Sequence, residues 1–264
     1  MKKSNPFTFL VNALTFLRKN FIYDPYYSSI YVLKYFDSDY YVKPKIFSEE
    51  EFISKIKDGT SFIRFGDGEI FFLRNQGIFY QKPDKLLSRI MRTIVSEYSS
   101  ESKYIIGLPH QISQSNFELR ESSTFHYWYP FKVNFELLFN KNANYSDSFL
   151  FIQGDFFEKS LLPIIRKKTC IILTTRKDIQ LQKDSMEKHL NCIWVEAKAP
   201  DPFDWYEKNI SEIEEIIRKN DLSSKNSILL LAAGPSSKAL AYYFSGNGFQ
   251  AIDVGSGFSS FFKR

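Results

Sequence analysis

Residues 61–70 read Ser-Phe-Ile-Arg-Phe-Gly-Asp-Gly-Glu-Ile. Phe62 to Phe65 is a short apolar run broken only by Arg64, and Ser61–Phe65 has the pattern of a buried strand. Gly66-Asp67-Gly68-Glu69 then reads as a turn, with glycines free to take the positive φ values that a tight turn can demand. The turn sets two carboxylates, Asp67 and Glu69, one residue apart at a strand end. Carboxylates this close repel each other unless a cation or donor hydrogens share them. Hard divalent ions such as Mg²⁺ and Mn²⁺ take oxygen ligands, commonly a carboxylate or two with substrate phosphates. From the turn alone two readings are open. It is a metal–phosphate site, or a polar loop in which one carboxylate caps the next helix. Arg64 needs a partner, because an unpaired buried charge is costly. A brace onto Asp67 or Glu69 is the simplest, and a ligand phosphate is the alternative.

Outward from this turn, strand-like and helix-like segments alternate. Upstream, Ser48 and Glu51 form a capping box for a helix that Gly59 stops. Residues 22–47 are Tyr-rich and read as an extended segment. Before them, Phe7, Leu10, Val11, Leu14 and Leu17 recur at helical spacing between basic ends (Lys2, Lys3, Arg18, Lys19). Such an amphipathic helix most often docks on its own domain or on a partner; lying on an anionic membrane surface is the alternative. Downstream, 84–99 reads as a helix, 104–108 as a strand ending at Pro109-His110, and 115–140 as helical and aromatic. Residues 149–153 read as a short strand or helix start. Strands follow at 169–174, 192–196, 227–233 and 250–254, with helices at 203–220 and 238–245. This alternation predicts an α/β fold, a mostly parallel sheet with helices on both faces, preceded by the N-terminal amphipathic helix. Residues 1–47 are expected to form that helix and the extended segment, and 48–264 the main domain. Parallel sheets bind ligands at the carboxyl ends of their strands. Asp67–Glu69, His110, Arg176 and Gly234–Ser237 all fall there.

The bulk properties exclude several classes. With 264 residues and 44% apolar content, the chain can build one large core. The net charge of +5 is spread without a basic stripe, so nucleic acid is not the expected partner. The two cysteines, Cys170 and Cys192, form no CxxC motif and read as reduced thiols. The three histidines lack zinc spacing. Neither a P-loop, nor GxGxxG, nor GxSxG occurs.

A second turn is informative. Leu229–Ala233 runs into Gly234-Pro235-Ser236-Ser237 and a small-residue helix. Free N–H groups at a helix start suit phosphate; an ordinary capped helix is the equal alternative. Arg176, after Thr175 at another strand end, is either a second phosphate-binding cation or an exposed loop residue.

Arg64-Phe65-Gly66-Asp67-Gly68-Glu69 resembles the signature of bacterial GT-D-type glycosyltransferases. Leu231–Ser236, Leu240-Ala241-Tyr242 and Gly248–Gly255 resemble that family's C-terminal block. Softer similarity lies at Ile106–Pro109, Thr175-Arg176 and Pro200–Phe203. The ordered match covers roughly residues 48–257. The resemblance implies a Rossmann-like domain, a UDP-sugar donor, and an Asp-x-Glu motif (Asp67, Glu69) that is catalytic and holds Mn²⁺ or Mg²⁺. It implies donor contacts from Arg64, Gly66, Gly68, Arg176, Gly234, Pro235, Ser236 and Asp253. The implied acceptor is a glycan, glycoprotein or lipid-linked sugar of bacterial surface polysaccharide synthesis, and the implied location is the cytoplasm, with peripheral contact at the inner membrane face. The chain departs from the family pattern at Ser256-Gly257-Phe258, where a histidine and acidic residues usually follow, and no Asn-Ala motif stands in 125–140. Two rivals use the same residues: a metal-dependent phosphoester or diphosphate hydrolase, and a non-catalytic nucleotide-sugar-binding subunit.

Overall fold

A computed structural model describes residues 25–78, 81–151, 156–198 and 202–255. The expected amphipathic helix at 7–17 lies outside them, as do Ser256–Phe258. The chain divides into two compact units, which bring 111–139 together with the N-terminal segment and leave 44–110 and 140–264 as the larger unit. The expected boundary at 47 thus gains a second part, because residues 111–139 leave the main domain.

The smaller unit is helical. Its elements are α1 (Pro25–Tyr35), α5 (Asn116–Glu121) and α6 (Phe125–Leu138). Residues 25–35 are therefore a helix, not the extended segment expected from their tyrosines. Tertiary packing overrides the local composition: Tyr31 meets Tyr129 edge-on at 4.6 Å, and Tyr35 meets Phe125 at 5.1 Å. Lys132 is fully buried, and its ammonium donates to Tyr40 O, Gln114 O and Asn116 Oδ1. A buried ammonium persists only with such partners.

The larger unit is an eight-stranded sheet in the order β1-β4-β3-β2-β8-β7-β5-β6. The strands are β1 (Lys45–Ile46), β2 (Ser61–Arg64), β3 (Tyr104–Leu108), β4 (Asn144–Asp147), β5 (Thr169–Thr174), β6 (Asn191–Glu196), β7 (Ser227–Ala232) and β8 (Ala251–Asp253). Every pairing is parallel. The central strands are apolar on both faces, as a sheet covered by helices on both sides requires. On one face Phe62, Ile172, Leu230 and Ile252 pack against α2 (Glu49–Lys57), α7 (Leu162–Ile165) and α8 (Arg176–Glu187). On the other face α10 (Pro235–Gly246) covers β2, β7 and β8 beside α4 (Lys85–Ser96) and α9 (Tyr206–Lys219). The capping box at Ser48 forms as expected: Ser48 N donates to Glu51 Oε2 and Glu51 N to Ser48 Oγ. Cys170 and Cys192 are free thiols.

Two elements differ from expectation. In place of the short strand or helix start expected at 149–153, the strand is Asn144–Asp147, with Phe149–Phe151 in a turn and 152–153 outside the described residues. Asn-Tyr-Ser-Asp carries no apolar pattern, yet Tyr145 and Ser146 are buried because β4 lies between β3 and β1. Helix α8 has only Gln182 and Met186 buried, too few to signal a helix.

Gly107 marks a close approach between β2 and β3. A Cβ there would stand 2.6 Å from Phe62 Cζ and 3.1 Å from Ser148 Cα. We expect Gly107→Ala to destabilise the protein by about 1–3 kcal/mol through overpacking. Chemical denaturation checks this; an unchanged midpoint would show that the Phe62 ring yields freely.

Candidate functional site

The site grows from the carboxyl ends of β2, β8 and β7, the central strands of the sheet. Connections leave β2 toward β3 and β4 on one side, while β8 and β7 belong to the other half. Such a switch point opens a crevice at the strand ends.

At the end of β2 the chain turns through Gly66–Gly68 into the short helix α3 (Glu69–Phe72). Neither glycine has a positive φ, against expectation. Gly66 serves by lacking a side chain. Its N–H donates to Glu69 Oε2 at 2.8 Å, and a Cβ would stand 2.8 Å from that same oxygen. The Glu69 carboxylate therefore folds back over the turn that carries it. Asp67 sits at the tip of the same turn and is exposed, whereas Glu69 is 8% exposed. The two carboxylates face different surroundings.

Lys238 occupies the centre. It lies in the first turns of α10 and is 4% exposed. Its Nζ stands 2.9 Å from Glu69 Oε1 and 3.1 Å from Asp253 Oδ2, and donates to Gly234 O at 3.3 Å. Asp253, at the end of β8, is fully buried; its Oδ2 also accepts the Arg64 backbone N–H at 3.2 Å. One ammonium thus ties the turn after β2, the end of β8 and the loop after β7. Burial alone would lower the Lys238 pKa, but the Asp253 and Glu69 carboxylates outweigh it and hold the ammonium above its ordinary range. Burial pushes Glu69 up, yet the Lys238 charge and hydrogen bond, with the Gly66 N–H, leave it below the usual carboxylate range. For Asp253 burial wins over Lys238 and Arg64, with Glu69 adding repulsion, and its pKa stands raised.

Arg64 corrects an expectation. Its guanidinium braces neither Asp67 nor Glu69: Nη1 donates to Val254 O at 2.6 Å. Gly255, at φ +49°, leaves the room this requires, since a Cβ there would stand 2.7 Å from Arg64 Nη1. The reason is the sheet itself, which pairs β2 directly with β8.

The loop after β7 is shaped by Gly234, at φ 57° and ψ −140°, a region that favours glycine. Pro235 opens α10, where its missing N–H costs nothing. Ser237 Oγ accepts the Ala233 N–H at 2.7 Å. Pro235 and Ser236 are buried, and Ser236 Oγ, Asp253 Oδ1 and Arg64 Nε have no hydrogen-bond partner among the described residues. Orphaned buried polar atoms are rare in folded proteins and mark places where a ligand or water completes the bonding. Arg176 opens α8 behind its cap Thr175, at the carboxyl end of β5, one strand beyond β7. The structure thus brings Arg64, Gly66, Glu69, Gly234 and Asp253 into one connected cluster. Asp67, Gly68, Pro235 and Ser236 lie on its turns, and Arg176 stands apart at the same sheet edge.

For a divalent ion, the donor set is uneven. Both Glu69 oxygens are already engaged, one by Lys238 and one by Gly66. Among the described residues no group of three or more His, Cys, Asp or Glu side chains is placed to hold a metal. Asp67 fits a metal held by a single carboxylate with the phosphates of a bound donor.

Lys238 was not singled out by sequence reasoning. Its signal was present: a lone lysine in the apolar helix start Ser237-Lys238-Ala239-Leu240-Ala241 must find anionic partners.

The fold and sequence have relatives. The chain is similar to a glycosyltransferase of Streptococcus sanguinis (DUF1792), at 18% identity over 84% of each chain with a TM-score of 0.66. A structure of domain of unknown function 1792 is 25% identical, covering 88% of this chain and 84% of that one, with a TM-score of 0.64. Another, described as having a distinct glycosyltransferase fold, is 23% identical over the same shares, with a TM-score of 0.65. No curated protein matches the sequence. The family model for the glycosyltransferase GT-D fold matches residues 62–261, from the strand before the Gly-Asp-Gly-Glu turn to beyond β8. Covering most of the chain and the whole cluster around Lys238, that match makes this protein a member of the GT-D glycosyltransferase family.

Proposed function

We propose that the protein transfers a hexose from a UDP-sugar to a hydroxyl of a glycan, glycoprotein or lipid-linked acceptor in bacterial surface polysaccharide synthesis. One observation carries the donor reading. The start of α10, with its Ser236 hydroxyl unpartnered among the described residues, and the carboxylate turn after β2 meet through Lys238 at the switch point of the sheet. Helix N–H groups, a buried hydroxyl and nearby cations suit a diphosphate. The donor residues are Arg64, Gly66, Gly68, Gly234, Pro235, Ser236 and Asp253, with Arg176 reaching from the neighbouring strand end. Asp67 would hold Mn²⁺ or Mg²⁺ together with the donor phosphates, and such an ion, when bound, would supply positive charge beside the leaving diphosphate. Glu69 sets the shape of the turn that presents Asp67. A nucleotide-sugar donor places the reaction in the cytoplasm. Among the described residues no helix is long and apolar enough to cross a membrane. A lipid-linked acceptor would be met at the inner membrane face.

A thermal-shift panel tests this. UDP-glucose, UDP-galactose and UDP-N-acetylglucosamine are compared with GDP-mannose, each with and without Mn²⁺. Saturating UDP-sugar should stabilise the protein by about 2–3 kcal/mol at a hundredfold excess over Kd. A shift without turnover would point to the non-catalytic nucleotide-sugar-binding subunit, and no shift with any nucleotide sugar would overturn the donor reading. Acceptor-independent release of a sugar phosphate would point to the hydrolase.

A further inference from the structure

Two strands along from the Gly66–Glu69 turn, the same sheet edge carries a second pair of side chains that the donor site does not use. β3 runs beside β2 with Gly107 opposite Arg64, and β4 runs beside β3 with Asp147 opposite Leu108. His110, just beyond β3, and Asp147, at the end of β4, therefore emerge at the edge that presents Asp67. His110 Nδ1 stands 3.5 Å from Asp147 Oδ2. The other oxygen, Asp147 Oδ1, accepts the Phe149 N–H at 2.8 Å, and the Phe149 ring packs against the imidazole at 5.7 Å. The carboxylate is anchored by backbone while the His110 side chain remains 54% exposed. Nδ1 faces the carboxylate, and Nε2 has no hydrogen bond among the described residues. This is the base-and-orienter arrangement of general base catalysis, in which bonds are often long until substrate binds. His110 follows β3, the strand paired with β2, and neighbouring strands lie about 4.8 Å apart, so the pair and the turn leave adjacent strands at the same end of the sheet.

We propose that His110 is the base of the transfer, with Asp147 as its positioning residue. Glu69 is poorly suited to that task, being tied to Lys238 and the Gly66 N–H. In the step, His110 Nε2 takes the proton of the acceptor hydroxyl. The freed oxygen forms a bond to the anomeric carbon, and the bond from that carbon to the diphosphate oxygen breaks, its electron pair leaving on UDP. The imidazolium that results is stabilised by Asp147. This inference rests on the UDP-sugar reading above, and the test separates the two.

UDP affinity is measured by calorimetry on the full chain. Turnover is measured as UDP release, with water as acceptor, from whichever of the three UDP-sugars the wild type cleaves fastest. For His110→Gln we expect UDP affinity within twofold of wild type and kcat lower by about 10²–10⁴-fold, the usual worth of a general base. Added imidazole should restore part of the rate to His110→Ala. Asp147→Asn should lower kcat with KM unchanged, and the double variant His110→Gln/Asp147→Asn should be no slower than His110→Gln alone, since the two act as a unit. Full kcat in His110→Gln, or additive losses in the double variant, would overturn the assignment. Failure of the wild type to bind UDP would overturn the donor reading instead.

Discussion

Lys238→Met is expected to lower the melting temperature by roughly 6–20 °C. The variant strands Glu69 and Asp253 as buried carboxylates whose shared ammonium is gone. Breaking a buried ion cluster by removing one partner costs about 3–5 kcal/mol, because the remaining charges are neither solvated nor paired. In a protein of this size each kcal/mol shifts the midpoint by about 2–4 °C. The loss also depends on pH. Asp253, whose carboxyl already holds its proton more firmly than usual, should take one up in the variant, so the deficit should shrink as the solution is acidified toward the carboxylate range. Should Lys238→Met not accumulate as folded protein, Lys238→Met/Glu69→Gln/Asp253→Asn removes all three charges together and should recover most of the loss. A Lys238→Met protein that melts like wild type would show that the ammonium does not hold the cluster together.

Asp67 and Glu69 should respond in opposite ways although they stand one residue apart. Asp67→Asn alters an exposed side chain on a turn tip, and its melting temperature should stay within about 1 °C of wild type. Its kcat should fall by about 10²–10³-fold, the usual cost of removing one electrostatic stabiliser of a transition state. The extra stabilisation that Mn²⁺ adds to UDP binding should vanish with it. Glu69→Gln keeps an acceptor for the Gly66 N–H but loses the charge that faces Lys238, which should cost about 1–3 kcal/mol of stability. Calorimetric unfolding beside UDP-release kinetics separates the two cases. Equal stability losses in both variants would mean that the carboxylates share one role, contrary to their different burial.

The alternation of strands and helices was legible because the buried strands, such as Ser227–Ala232, are nearly continuous apolar runs, and because Ser48 and Gly59 bracket the first helix of the larger unit. Asn144–Asp147 was not legible: a four-residue polar strand becomes buried only through its neighbours, which no local pattern encodes. The helix over Pro25–Tyr35 was hidden for a similar reason, since its tyrosines find their purpose only against Phe125 and Tyr129. At the site, the turn at 66–69 and the loop at 234–236 stood out through their glycines. The part played by Gly66 did not, because it depends on where the Glu69 carboxylate comes to rest. Nor did the true partner of the Arg64 guanidinium, which follows from β8 lying next to β2 although 190 residues separate Arg64 from Val254. Lys238 likewise reaches Glu69, far away along the chain, and long-range pairing of this kind is what a linear reading does not resolve.

The central claim is that a UDP-sugar binds where α10 begins and the Gly66–Glu69 turn ends. A crystal structure of the full chain with UDP and Mn²⁺ tests it most directly. The diphosphate is expected against the Gly234–Ser237 loop, within hydrogen-bonding reach of Ser236 Oγ, with the metal between it and Asp67. A nucleotide bound at any other edge of the sheet, with this loop and turn left bare, would contradict it.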